Sequence, residues 1–153
     1  MKPLAIVIPW FGPDLAGGVE QQAFQIATRL AKRGHKVEVL TTTSLSFESD
    51  WATNHYPAGV TEEFGLTIHR FPVAERAVEQ FDQINTKLLS DACKSLRPGV
   101  SPISIEEAET FNNENIKSKP LIDYLAANKD GYHAFIFLPY MFSPTTHLSL
   151  IHI

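Results

Sequence analysis

Two consecutive glycines, Gly17-Gly18, followed by Val19-Glu20, sit directly between an apolar strand and an amphipathic helix. Glycines have no Cβ, so a ligand can approach the backbone closely there. The free amides of a helix's first turn, with the positive end of its dipole, attract a phosphate or another anion. A loop that only needs to turn the chain uses the same pair, and the spacing alone leaves both roles open. The glycine-rich phosphate loop ending in Lys and Ser or Thr is absent, because Val19-Glu20 follows the pair. The Gly-x-Gly-x-x-Gly dinucleotide fingerprint is absent too, since Gly12, Gly17 and Gly18 do not fit it. A second polar group, Tyr140 with Ser143, Thr145 and Thr146, follows the last apolar strand, where hydroxyls either meet a ligand or cap the strand end.

Other chemistries lack their residues. The six histidines, His35, His55, His69, His133, His147 and His152, form no His-x-x-x-His or Glu-x-x-His grouping, so no metal site is expected. No Gly-x-Ser-x-Gly elbow is present. The carboxylate pairs Glu62-Glu63 and Glu106-Glu107 lie in polar stretches and read as solvated surface. The single cysteine, Cys93, lies near Leu89 and Leu96 in a helical stretch and reads as a packing residue. Arg70, near the end of a strand, reads as one half of a surface ion pair, with a phosphate as the alternative partner. Trp51, His55 and Tyr56 supply faces for a sugar ring, or else pack their loop onto the body of the domain.

These residues need a scaffold, and the hydrophobic pattern describes one. Leu4 to Pro9 is a continuous apolar run of the kind buried on both faces of a parallel sheet. Val19, Ala23, Ile26, Ala27 and Leu30 recur at helical spacing, and Gly34 ends that helix. Val37–Thr41 is a second strand. Together they form the opening βαβ unit of a doubly wound α/β sheet, with the glycine loop at the carboxyl edge where such sheets bind ligands. Ser44–Gly65 reads as a long polar loop. Leu66, Ile68 and Arg70 alternate with Thr67 and His69 in a third strand. Helical spacing returns from Ala74 to about Leu96, with Val78, Phe81, Leu88, Leu89 and Ala92 as its buried positions. Arg97-Pro98-Gly99 closes that helix. Ser104-Ile105-Glu106-Glu107 is a capping box, Asn112–Asn115 is polar and expected to be exposed, and Ser118 caps a helix carrying Leu121, Ile122 and Leu125. Phe135–Leu138 is a fourth, buried strand. The expected order is β-α-β-loop-β-α-α-α-β.

Composition agrees with one globular domain. The 153 residues are 44% hydrophobic and 20% charged, enough to bury one core. A net charge of -4, with no basic run among aromatics, argues against nucleic acid. One cysteine suits a reducing compartment. The first apolar run is broken by Pro9 and Pro13, too short for a membrane span and without a signal-peptide cleavage pattern. A cytoplasmic location is expected.

The segment Ile6–Thr43 resembles the start of the GT-B glycosyltransferases of family 4. Its marks are the loop Pro13 to Gly17-Gly18-Val19-Glu20, the helix end Ala31-Lys32-Arg33-Gly34-His35, and the strand Val37–Thr41. Leu66–Val73 resembles that family's third strand and Tyr132–Tyr140 its fourth. The resemblance implies the N-terminal, Rossmann-like half of a three-layer, mainly parallel fold, spanning residues 1–147 and incomplete. That half mainly binds the acceptor. The implied enzyme is a retaining, metal-independent transferase that needs no cofactor and moves a sugar from a nucleotide-sugar to a glycan, lipid or small-molecule acceptor, with peripheral membrane contact compatible. Its diphosphate leaving group is stabilised by backbone amides and basic side chains.

Under this resemblance the substrate-binding residues are Gly17, Gly18, Val19, Glu20 and Tyr140. The catalytic residues are expected beyond the last residue, as is the second domain that grips the nucleotide-sugar. Residues 148–153, Leu-Ser-Leu-Ile-His-Ile, look like a translated sequencing adapter and are expected to be non-native. The alternative function is a non-catalytic, flavodoxin-like α/β binding module. A response-regulator receiver is disfavoured, since Pro9-Trp10-Phe11 and Pro72-Val73 lack the acidic residues it needs.

Overall fold

The computed structural model describes residues 2–90, 97, 99–139 and 142. The chain folds as β1 (Leu4–Val7), α1 (Gly18–Lys32), β2 (Val37–Thr42), β3 (Gly59–Glu63), β4 (Leu66–Phe71), α2 (Val78–Leu89), α3 (Ile105–Asn113), α4 (Lys119–Asn128) and β5 (Ala134–Phe137). A single 3-10 turn, Lys129–Gly131, leads into β5. The five strands form one sheet in the order β3-β4-β2-β1-β5. All neighbours are parallel except the β3–β4 hairpin. In register, Ile6 stands between Val39 and Ile136, and Val39 faces Ile68 across the next pairing. This mostly parallel α/β architecture is consistent with a Rossmann-like fold.

Strand alternation sends side chains to two cores. Ile6, Ile8, Val39 and Ile68 meet Ala23 and Ala27 of α1, with Val19, Ile26 and Leu30 packed at the margin. Ala5, Val7 and Leu40 point to the other face and meet Leu121 and Leu125 of α4. Helix α1 ends as expected: Gly34 takes φ +86°, its amide donates to the Ala31 carbonyl, and the His35 amide donates to that of Leu30. This paired closure satisfies carbonyls that the helix end leaves free.

The face beneath α4 also holds a polar cluster built on Glu38. The Tyr132 hydroxyl donates to its carboxylate at 2.7 Å, His69 Nε2 lies 3.3 Å away, and Lys36 Nζ is 3.4 Å away. The hydroxyls of Tyr124 and Tyr132 are 2.9 Å apart. With the Tyr132 proton committed to Glu38, Tyr124 is the donor between them. Burial pushes the Tyr132 phenol far above its ordinary range, and the hydrogen bonds with Tyr124 and Glu38 add to the shift.

Several expectations change. The stretch 44–65 is not all loop, because Gly59–Glu63 forms the antiparallel edge strand β3. Its hairpin turn is Phe64-Gly65, both at positive φ, +58° and +75°, the pattern of a two-residue turn matched to strand twist. Phenylalanine is a rare choice there, and its ring packs edge-on against Phe24 with centroids 5.1 Å apart. Helix α2 begins at Val78 rather than Ala74 and ends at Leu89. Val78 and Leu89 are 42% and 75% exposed, while Phe81 and Ile84 are buried. The reason is that α2 packs on α3, Phe81 stacking on Phe111 at 4.7 Å, and not on the sheet. Cys93, Leu96 and Ala92 lie outside the described residues.

Helix α3 has the expected capping box: the Glu107 amide donates to Ser104 Oγ, and the Ser104 amide to the Glu107 carboxylate. Ser118 stands at the N-cap of α4, but its hydroxyl donates to the Pro72 carbonyl at 2.8 Å and makes no cap bond. Asn115, expected to be exposed, is buried. Strand β5 is half-exposed, not fully buried, because it is an edge strand paired only with β1 among the described residues. No helix among the described residues is long and apolar enough to cross a membrane.

Glu114 fastens α2 to the segment after α3. Its carboxylate accepts from the Ala77 amide at the start of α2 and from Lys117 Nζ at 2.7 and 2.8 Å. The Ala77 hydrogen bond first, then that of Lys117, holds its carboxyl below the ordinary 4.5. A depressed carboxyl contributes stability that is fully present above the unfolded value and lost as pH falls through the folded one. Glu114→Gln is therefore expected to lower stability at neutral pH, with the gap from the natural protein closing as pH falls below the ordinary carboxyl value of 4.5. Paired thermal melts across that range check it; a gap that persists in acid refutes the charge argument.

Candidate functional site

Three loops converge on the carboxyl edge of the sheet: one after β1, one after β2 and one after β5. The first is held by main-chain and side-chain bonds that short-range patterns do not show. The Pro9 carbonyl accepts from Thr41 Oγ1 at 3.0 Å, from Thr42 Oγ1 at 2.8 Å and from the Thr42 amide at 3.1 Å. Gln21 Nε2 donates to the carbonyls of Pro13 and Leu15, at 2.8 and 2.7 Å, and so pins residues 13–17 onto the helix they precede. The loop after β2 is tied down by Asn54, whose Oδ1 accepts from the Val73 amide at 2.9 Å and whose Nδ2 donates to the Val73 carbonyl at 3.1 Å.

An aromatic cluster supports these loops. Trp10, fully buried, packs against Trp51 at 5.4 Å, Phe47 at 5.7 Å and Phe142 at 5.1 Å between ring centroids. Its Nε1 donates to Ser44 Oγ at 3.2 Å. Val73, Phe81 and Ile116 complete the cluster, so α2 and α3 are joined to the sheet edge through it. Aromatic pairs of this kind add to the area they bury.

Above the cluster is a cavity of about 370 Å³. Its walls are Leu15–Glu20 from the first loop and helix start, Ser46–Glu48 from the second loop, and Pro139 and Phe142 from the third. Four of the five residues picked from sequence, Gly17, Gly18, Val19 and Glu20, thus share one wall. Tyr140, the fifth, lies outside the described residues, as do Ser143, Thr145, Thr146 and 148–153.

The two glycines differ in their reasons. Gly17 is the N-cap of α1, at φ -67° and ψ 141°, a conformation open to any residue. Neither glycine is among those at positive φ, which are Gly34, Gly59, Gly65 and Gly99. A turn that only glycine can make is thereby excluded as the reason for the pair. At Gly17 a Cβ would fall 1.9 Å from Glu20 Oε2, because the Glu20 side chain folds back over it, and that flexible carboxylate would have to move aside. A Cβ on Gly18 would meet nothing within 4 Å.

No family model, curated protein or solved structure matches this chain.

Glu20 is the third residue of α1, 8% exposed, and its carboxylate makes no hydrogen bond or ion pair among the described residues. Its charge sits at the positive end of the helix dipole. Glu48, exposed on the opposite wall, is the other ionisable lining residue, and no Lys, Arg or His lines the cavity among the described residues. The arrangement presents two carboxylates over apolar walls, with Phe47 54% exposed beside them.

The other aromatic and basic candidates have structural partners. Trp51 packs in the cluster, and its Nε1 donates to the Phe47 carbonyl at 2.8 Å. Tyr56 lies under the Arg70 guanidinium at 5.0 Å and edge-on to His55. Arg70 Nη1 donates to Glu63 at 3.1 Å, the ion pair expected, but the Arg70 side chain is largely buried rather than on the surface. No group of three metal-ligating side chains occurs among the described residues.

Residues that sequence reasoning missed are Gln21, Phe47, Glu48 and Asn54. Gln21 carries a usable signal, being a polar side chain one turn inside a helix that follows a proline-bearing loop. The other three carry none, since their neighbours at the site are distant in sequence.

Proposed function

We propose that this chain is the acceptor-side half of a retaining glycosyltransferase of GT-B type, built on a doubly wound, three-layer sheet. The observation that carries the reading is the position of the cavity. Chain order runs outward from β1 through β2 to β4 and then returns to the far side of β1 as β5. The cavity lies where that order reverses, walled by the loops that leave β1, β2 and β5. Crevices at such switch points are where open α/β sheets hold ligands. The wall carries Gly17-Gly18-Val19-Glu20, the segment on which the family resemblance rests.

In this reading the cavity binds the acceptor and orients its hydroxyl toward a nucleotide-sugar held by a second domain. Among the described residues the cavity supplies no cation to neutralise a leaving diphosphate, so its role in this reading is binding rather than transfer. A cytoplasmic enzyme acting on soluble or membrane-surface acceptors fits the same reading.

The test is a titration of isotope-labelled protein with a panel of monosaccharides, amino sugars and nucleotide-sugars, following backbone amides by NMR. Shifts confined to Gly17–Glu20 and Ser46–Glu48 are expected with at least one sugar. Failure of every sugar to move those amides would overturn the proposal.

A further inference from the structure

We infer that the cavity at the head of α1 takes an amine-bearing sugar, with Glu20 receiving the ammonium group and Phe47 the apolar face of the ring. The inference rests on the reading of the cavity as a sugar site and narrows its ligand class. A carboxylate on a residue that is nine-tenths buried, with no hydrogen bond or ion pair inside the protein, keeps its oxygens open only toward the space it faces. Glu20 is in that position, and it lines the cavity. A donor from a ligand in that space would be its first partner other than solvent, and a charged donor bonds it most strongly.

The rest of the wall selects the sign of the charge. Glu20 and Glu48 are both acidic, and the described lining holds no basic side chain to offset them. A phosphate entering here would meet like charge, and the helix dipole that could have attracted it already faces the Glu20 carboxylate. A cation meets the reverse: two carboxylates, and an exposed aromatic face on Phe47, whose ring quadrupole also favours positive charge. Leu15, Val19 and Phe142 offer apolar contact to the carbon face of a ring. The wall is built for a ligand with a positive head and an apolar flank. Mere pairing of Glu20 with its own helix dipole predicts a different outcome, since it would make the residue matter for stability and not for ligand choice.

The experiment titrates the labelled chain with glucosamine, N-acetylglucosamine, glucose and inorganic pyrophosphate in weakly acidic buffer, where the free amine is protonated. Amides of Gly17–Glu20 report binding. Glucosamine is expected to bind about tenfold more tightly than glucose or N-acetylglucosamine, while pyrophosphate leaves these amides unmoved. Glu20→Gln, which keeps size and shape, is expected to bring glucosamine down to the level of glucose. Its melting temperature is measured alongside. The comparison among sugars on the natural protein decides the matter even if the variant does not fold.

Equal affinity for glucosamine and glucose, or an unchanged preference in a folded Glu20→Gln, overturns the inference and leaves the sugar-site reading standing. Pyrophosphate moving the same amides more strongly than glucosamine also overturns it, in favour of a leaving-group site. If no sugar binds, the inference falls together with the reading beneath it.

Discussion

Replacing Trp10 with alanine is expected to remove about 3–5 kcal/mol of stability, the usual range for deleting a large buried aromatic. Trp10 is fully buried at the end of β1, where it touches three other rings and hydrogen-bonds Ser44. Domains of this size are held by roughly 5–15 kcal/mol in total, so the variant should be partly unfolded at physiological temperature. Trp10→Phe keeps most of the ring contact and loses the indole donor, and should cost less than half as much. Urea denaturation of the three proteins measures both. A loss below about 1 kcal/mol for alanine would mean that the site collapses around the gap. Because Phe47 and Phe142 lie on Trp10 and also wall the cavity, the same substitution should loosen the cavity wall.

Gly18→Leu is expected to abolish ligand binding and leave the fold intact. Gly18 is the first helical residue of α1, does not stand at positive φ, and has open space where a Cβ would go. Leucine is the better helix former by up to about 1 kcal/mol, so the melting temperature should hold or rise slightly. The space a leucine would enter is the cavity itself, whose wall Gly18 helps to form. The expected loss of affinity therefore exceeds any change in stability. NMR titration beside a thermal melt separates the outcomes. Unchanged binding would show that no ligand reaches this wall, and a drop of several degrees would show that the glycine serves the fold.

Gly17→Ala makes an instructive contrast, because its Cβ would displace the Glu20 carboxylate rather than fill the cavity. One glycine lies under a side chain of the same helix, and its neighbour faces open space at the cavity wall. Two adjacent identical residues thus have different surroundings, a distinction that only the tertiary structure reveals.

Much of the scaffold was readable along the chain, because its determinants are short-range. β1 is an apolar run and β2 carries Val37, Val39 and Leu40, while α1 has an apolar stripe, a glycine at its end and basic residues in its last turn. The Ser104 capping box spans four residues and forms as written. The glycine wall of the cavity was also visible, since Gly17 to Glu20 are consecutive and occupy the junction of a strand loop and a helix.

Tertiary structure decided what depends on partners far apart in sequence. β3 has no apolar alternation to announce it, and its turn uses Phe64, whose positive φ is offset by contact with Phe24. Asn115 reads as polar surface, yet packing of the segment between α3 and α4 buries it. Val78 and Leu89 read as core, yet the partner of α2 is α3, and that choice turns another stripe inward. Glu38 sits between Val37 and Val39 in a buried strand, and only its contacts with Tyr132, His69 and Lys36 explain how its charge is tolerated there. The cavity belongs to the same category. Its glycines are local, but its depth, its aromatic floor and its acidic character come from loops some thirty to over a hundred residues apart. Periodicity acts between residues a few positions apart and so marks strands and helices, whereas the charge and shape of a pocket arise from which loops the sheet order brings together at one edge.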